Sequence, residues 1–169
     1  MSDSELTETF YNRYKYNRNM KICFICTGNA CRSPFAEEVT RKLINDEGIA
    51  GIEVYSLGTL DWGKNPRDEG MRRTAEELGY ELSGETTYMT HEALMQADRI
   101  IVFENVHRDE VTRYLAYPRW DRIILFDKIA FGKETEVQDP HCQSAATYMN
   151  VARHIESGCK AIVEQLKGL

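Results

Sequence analysis

Cys26, Cys31 and Arg32 sit close together in the stretch ICFICTGNACRSPFAEEV, residues 22–39, with Gly28 and Asn29 between the two thiols and Ser33 directly after the guanidinium. Two thiols so placed can hold a metal, close a disulfide or lend one sulfur as a nucleophile. Zinc needs four ligands at short spacing, and although Cys23-Phe24-Ile25-Cys26 is a C-x-x-C pair, no second such pair follows it and His91, His107, His141 and His154 are scattered. No metal is therefore expected. The five cysteines, Cys23, Cys26, Cys31, Cys142 and Cys159, form an odd set without an export signal, which predicts mostly free thiols in a reducing compartment. The nucleophile reading fits the neighbourhood better. An apolar run that ends in a short Gly-containing loop before a helix turns several backbone N–H groups inward, where they surround an oxyanion. The helix N-terminus adds roughly half a positive charge, which favours a thiolate over a thiol. Arg32 offers a permanently charged fork of donors that matches a tetrahedral anion. Cys26-x5-Arg32-Ser33 thus predicts a thiolate, an anion cradle and a charge clamp, with a phosphate monoester as the natural ligand. Cys23 and Cys31, taken alone, read equally well as small buried hydrophobes at a strand-to-helix turn.

Holding these groups in place takes a strand and a helix, and the surrounding pattern supplies both. Residues 21–26 read as a buried strand. A helix opens at Ser33 or Pro34 and runs to about residue 45, with the proline at an early position and Phe35, Ala36, Val39, Leu43 and Ile44 forming its apolar stripe. Further along, the pattern predicts a strand over 51–57, a loop over 58–65, a helix over 67–78 closed by Gly79 and a short helix capped by Thr90. A third strand over 99–103, a helix over 106–115 and a fourth strand over 122–126 follow. A long loop carrying Asp139-Pro140 then leads to a final helix, roughly 144–166, whose apolar residues, Cys159 among them, recur at helical spacing. Strands alternating with helices imply right-handed crossovers and a parallel sheet covered on both faces. The expected fold is α/β, a three-layer α/β/α sandwich around a four-stranded parallel sheet. Ligands of such sheets collect beyond the carboxyl ends of the strands, where Cys26 lies.

A chain of 169 residues suits one domain with an ordinary core. Its 42% hydrophobic and 28% charged residues match neither a disordered chain nor a membrane protein, and no apolar run approaches the ~20 residues that span a bilayer. The formal net charge of −6 disfavours a nucleic-acid binder, which presents a basic face. The opening MSDSELTETFYNRYKYNRN lacks a basic start followed by an apolar segment, so a cytoplasmic location is expected. Within residues 1–19, Leu6, Phe10, Tyr11 and Tyr14 recur at helical spacing behind Ser2-x-x-Glu5. That predicts a short amphipathic extension before the main domain of residues 20–169.

The segment CTGNACRSP, Cys26 to Pro34, resembles the signature of the low-molecular-weight protein tyrosine phosphatases, as does the apolar strand before it. The similarity runs over roughly residues 20–166. Ser56-Leu57-Gly58-Thr59 resembles the segment after the family's second strand, Asp61-Trp62 the loop whose aromatic residue borders the active-site mouth, and Asp139-Pro140 the acid loop before the last helix. The resemblance implies the flavodoxin-like fold of the phosphotyrosine phosphatase I type and hydrolysis of phosphotyrosine and aryl phosphate monoesters by double displacement. Cys26 attacks phosphorus, Asp139 protonates the leaving oxygen, a cysteinyl-phosphate forms, and water activated by Asp139 hydrolyses it. Thr27, Gly28, Asn29, Ala30 and Cys31 are implied to line the phosphate loop together with Arg32. Ser33 is implied to hydrogen-bond the Cys26 sulfur, Asn29 to hold a strained loop supported by Ser56, and Trp62 and His141 to wall the substrate pocket. Cys31 is implied as a redox guard, able to form a disulfide with Cys26 and spare it from over-oxidation. The resemblance implies no cofactor and no metal. The expected partner is a phosphorylated protein, with no nucleic acid and no membrane, and the chain is expected to be a monomer or weak homodimer.

Three positions depart from the family pattern. Ala30 stands where many tyrosine-directed members carry Ile and the related protein arginine phosphatases Thr, which leaves room beside the phosphate. His141 replaces the usual aromatic residue after Asp-Pro, and Phe103-Glu104-Asn105 replaces a Met-Asp pair. Arginine phosphatase activity is therefore an alternative. Arsenate reduction is a more distant one, since it needs further redox cysteines and only Cys142 and Cys159 are available. A phosphate-binding module without turnover is disfavoured, because binding alone needs neither nucleophile nor proton donor.

Overall fold

The computed structural model describes residues 19–168, so the extension expected over residues 1–19 falls, except for Asn19, outside the described residues. Strands β1 (Met20–Cys26), β2 (Ile52–Gly58), β3 (Arg99–Val102) and β4 (Ile123–Leu125) form one parallel sheet in the order β2-β1-β3-β4. The helices are α1 (Arg32–Asp46), α2 (Glu69–Glu77), α3 (His91–Gln96), α4 (Asn105–Tyr114), α5 (Phe126–Phe131) and α6 (Ala145–Lys167). No helix among the described residues is long and apolar enough to cross a membrane.

The layering follows from the two-residue period of a strand buried on both faces. Along β1, Met20, Ile22, Phe24 and Cys26 point into a core with Phe35 and Val39 of α1, Met71 of α2 and Ile155 and Ile162 of α6. Cys23 and Ile25 point the other way, toward Leu94 of α3 and Val111 of α4. The result is the expected three-layer α/β/α sandwich, with Cys26 on the α1 and α6 side. From β1 the chain moves first to β2 on one flank and later to β3 on the other. The connections diverge at the carboxyl end of β1, where Cys26 lies and where such sheets place their ligands.

Cap chemistry fixes several helix starts. The Thr90 side chain accepts from the Ala93 N–H, and Ser144 does the same for Thr147 at the head of α6. Gly79, at φ 86°, follows α2 in the left-handed conformation expected of a helix-ending glycine. Other boundaries differ from expectation. The helix expected over 67–78 begins only at Glu69, because Asp68 is its cap and accepts from the Met71 N–H; Arg67 lies before it. The fourth strand stops at Leu125, and Phe126, expected at its end, opens α5 inside what reads as a long loop.

Phe126 turns inward there because a glycine makes room for it. A Cβ on Gly158 of α6 would stand 2.3 Å from the Phe126 ring. Gly158→Ala is expected to lower stability by about 1–3 kcal/mol through overpacking. Urea denaturation should show this as a shifted midpoint at unchanged slope, and wild-type stability in the variant would mean that α5 moves away freely.

Candidate active site

Residues 27–31 join the carboxyl end of β1 to α1. The Cys26 carbonyl accepts from the Thr59 N–H, that of Thr27 from Leu60 N–H, that of Asn29 from the Arg67 guanidinium and that of Ala30 from Asp68 N–H. Since N–H and C=O point in opposite directions across a trans peptide, carbonyls tied outward turn the following N–H groups inward. A concave row of donors results. Gly28 lets the indole of Trp62 lie on this loop, because a Cβ there would stand 2.9 Å from the ring.

Asn29 has φ 54°, in the left-handed region, a conformation that costs about 1–2 kcal/mol for a residue with a side chain. Its side chain offsets that cost. Oδ1 accepts from Arg67 at 2.6 Å and from Thr87 N–H at 2.9 Å, which fixes which end of the amide is oxygen. Nδ2 then donates to both Ser33 Oγ and Ser56 Oγ at 2.9 Å, and Ser56 donates to Glu37. With its oxygen already accepting from Asn29, Ser33 can turn its hydroxyl proton to the Cys26 sulfur, 3.0 Å away, or to the Leu57 carbonyl at 3.4 Å, and a thiolate at Cys26 is the stronger acceptor. A chain of oriented donors thus runs from a carboxylate to the thiol. Cys26 itself is 3% exposed.

Arg32, the first residue of α1, is 1% exposed although charged. Its NH1 donates to the Val137 carbonyl at 2.7 Å and pairs with Glu104 at 2.9 Å, while NH2 lies 3.6 Å from Asp139. Its Nε is buried with no hydrogen-bond partner. A buried N–H without an acceptor costs about 1–3 kcal/mol, and an anion in the adjacent cradle would relieve it.

Asp139 carries a side chain 47% exposed and accepts from the His141 N–H. The His141 ring stands 5.9 Å from Trp62 between centroids and its Nδ1 lies 3.0 Å from Asp68. Burial raises the Asp68 carboxyl, but the Met71 N–H, the Tyr148 hydroxyl and His141 together outweigh it and hold the group below its ordinary value. Burial, and then the Asp68 charge, push the Cys31 thiol up and keep it protonated. Cys159 is fully buried and pushed up to about 12 by that burial, so it is no exposed relay thiol; Cys142 is exposed.

The expected residues therefore gather: Cys26 and Ser33, Asn29 and Ser56, Arg32 and Asp139, Trp62 and His141. Sequence reasoning missed four others. Glu37 and Arg67 brace Asn29 from either end, and no local pattern signals them. Glu104, noticed only as a departure, is the carboxylate that pairs with Arg32. His107, set aside as scattered, is fully buried and pushed down to about 3, first by burial and then by the Arg32 charge. Its Nδ1 accepts from the Glu104 N–H at 3.1 Å, so Nε2 carries the proton, 2.9 Å from Thr27 Oγ1 and 3.3 Å from the Glu104 carboxylate.

The ring thus sets both the phosphate loop and the partner of Arg32. His107→Ala is expected to lower kcat/KM about tenfold, or about 1.4 kcal/mol, and His107→Asn to restore much of the loss, since an amide can accept from Glu104 and donate to Thr27. The ring also gives a pH signature. Below its ordinary value near 6.5 the unfolded chain binds a proton at this histidine that the folded chain refuses. Stability is therefore lost as pH falls from about 6.5 toward 3, and His107→Asn should show a shallower loss in denaturation series at those pH values.

Comparison with known proteins identifies a family and agrees with the fold. Residues 21–168 match the sequence profile of the family described as low molecular weight phosphotyrosine protein phosphatase. The chain is 26% identical over 151 residues to a protein-arginine-phosphatase of Bacillus subtilis, spanning 88% of this chain and 97% of that one. It is 28% identical over 162 residues to a low molecular weight protein-tyrosine-phosphatase of Streptomyces coelicolor, spanning 88% and 96%. The crystal structure of a low molecular weight phosphotyrosine phosphatase from Vibrio cholerae superposes with a TM-score of 0.82 at 28% identity, over 88% of this chain and 97% of that one.

Proposed function

The chain belongs to the low molecular weight phosphotyrosine protein phosphatase family, hydrolases of phosphorylated proteins, and from that premise we propose that Cys26, Arg32 and Asp139 divide its chemistry among them. The Cys26 sulfur attacks phosphorus while the Ser33 hydroxyl steadies it as thiolate and later as leaving group. Inward N–H groups and Arg32 hold the equatorial oxygens, whose charge grows in the transition state. Asp139 protonates the departing phenol oxygen, then takes a proton from the water that hydrolyses the cysteinyl-phosphate. Trp62 and His141 form the walls that receive a phenyl ring. The observation that carries this reading is the fully buried Arg32, its Nε without a partner, at the far end of a five-residue loop from a thiol hydrogen-bonded to Ser33. Acid-quenching the enzyme during turnover of a phosphotyrosine peptide should trap a phosphoryl group on the peptide that contains Cys26. A trapped group on any other residue overturns the assignment.

Ala30 favours a second substrate. A methyl beside the cradle restricts shape little, and the Bacillus subtilis relative is a protein-arginine-phosphatase. The aromatic walls argue for phosphotyrosine first. Phosphotyrosine and phosphoarginine peptides of one sequence, assayed side by side, should show the higher kcat/KM for tyrosine, and the reverse order would reassign the substrate.

Burial keeps Cys31 protonated and so spares it from direct oxidation; as a resolving thiol it would attack the Cys26 sulfenic acid formed by peroxide, its proton and the sulfenic OH leaving as water. Activity lost to mild peroxide should return with dithiothreitol in the wild type and not in Cys31→Ser; equal recovery in both removes Cys31 from this part. The substrate is a phosphorylated protein, and we propose a monomer or weak homodimer in the reducing interior of the cell.

A further inference from the structure

Cys31, Asp68 and His141 converge from three separate parts of the chain: the loop before α1, the cap of α2 and the acid loop. The sulfur, one carboxylate oxygen and one ring nitrogen all lie within 4.8 Å of one another. Asp68 gives Oδ1 to the Met71 N–H, which leaves Oδ2, the atom 3.0 Å from His141 Nδ1, as the free face of the carboxylate. The cluster is closed within and open without. Cys31 is buried and the Asp68 side chain nearly so, whereas the His141 side chain is 44% exposed and provides the path from solvent. The Tyr148 hydroxyl adds a further hydrogen bond to the carboxylate, the kind of outer support that orients a coordinating group.

A thiol, an imidazole and one carboxylate make a donor set for zinc and its neighbours, whereas magnesium and calcium take oxygen ligands. Zinc holds such atoms at about 2.0–2.3 Å in a tetrahedron. The three donors reach that geometry by closing about 1 Å, a movement within the range of a half-exposed histidine on a loop, with the fourth position open to water.

We propose that Cys31, Asp68 and His141 form a site for a zinc-class divalent cation, which ties the acid loop to the phosphate loop and restrains the phosphatase. On binding, the Cys31 thiol releases its proton to solvent and the thiolate bonds the metal. His141 shifts its ring proton to Nε2 and gives its Nδ1 lone pair, and Asp68 exchanges its hydrogen bond from His141 for the cation. No electron changes hands. Because His141 is two residues from Asp139, whose carboxylate accepts the His141 N–H, a metal here immobilises the proposed proton donor. This inhibitory part alone rests on the assignment of Asp139, while the binding stands apart from it.

Titration of the full chain with Co²⁺, without substrate, tests the binding. The result expected is one Co²⁺ per chain, with tetrahedral d–d bands and a thiolate-to-cobalt charge-transfer band, both displaced by Zn²⁺. Cys31→Ser should lose the charge-transfer band, and His141→Ala, at an exposed position that leaves the fold intact, should weaken binding about 100-fold or more. Cys26→Ser and Cys142→Ser should keep both signals. Absence of the charge-transfer band in the wild type, or its loss in Cys26→Ser or Cys142→Ser with retention in Cys31→Ser, overturns the site. Inhibition of p-nitrophenyl phosphate hydrolysis by Zn²⁺ should weaken in His141→Ala by the same factor. Inhibition unchanged in His141→Ala while cobalt binding is lost would place the inhibitory metal elsewhere and overturn the restraint.

Discussion

Cys26→Ser is expected to lower kcat by roughly 10⁴-fold or more while leaving the affinity for inorganic phosphate within a few-fold. The two parts of this result come from different atoms. Turnover needs a nucleophile that is an anion at neutral pH, and a serine hydroxyl in the same place stays protonated, because the Asn29 amide donates to both Ser33 and Ser56 and so cannot relay its proton to the Glu37 carboxylate beyond them. Phosphate binding draws on the inward N–H groups and on Arg32. The outward ties of the loop carbonyls, including that of Cys26 itself to the Thr59 N–H, involve backbone that the substitution does not touch. Calorimetric titration with phosphate and a steady-state assay on p-nitrophenyl phosphate separate the two. Activity within tenfold of the wild type would remove Cys26 from the mechanism, and loss of phosphate binding alongside activity would show that the sulfur also shapes the cradle.

What could be read in the sequence, and what could not, divides by range. The buried strand before Cys26, the Thr90 cap, the glycine after α2 and the apolar stripe of α6 are written in residues a few positions apart, where periodicity and cap chemistry act. The anion loop is legible for the same reason, since thiol, glycine and arginine all lie between one strand and one helix. Helix α5 was not legible. Six residues are too short for a helical period, and Phe126 starts it by filling the space above Gly158, a residue in another helix. The bracing of Asn29 by Arg67 and of Glu104 by His107 depends on register across the sheet and on which nitrogen of a buried ring carries the proton. Neither follows from residue types alone. Asp139 lies between these cases: the Asp-Pro pair before the last helix marked it, yet its position 3.6 Å from Arg32 is set by the Val137 carbonyl that the same guanidinium holds.

Asp139→Asn should cost activity in proportion to how badly the leaving group needs a proton. For a phosphotyrosine peptide, whose phenol leaves poorly as an anion, the expected loss in kcat is about 10²–10⁴-fold, the range for a removed general acid. For p-nitrophenyl phosphate the departing phenolate is stable unaided, so the first step suffers far less, and the remaining loss reflects the second step, in which the same carboxylate activates water. The two roles can be told apart. Adding an alcohol as a competing acceptor speeds only the breakdown of the cysteinyl-phosphate, so it should raise p-nitrophenol release in the variant and leave the slow peptide reaction unchanged. A series of aryl phosphates should give a steeper dependence on leaving-group acidity in Asp139→Asn than in the wild type. Equal losses across the series would mean that the carboxylate acts through its charge next to Arg32 rather than through its proton, because a purely electrostatic partner of a fully buried guanidinium affects every leaving group alike.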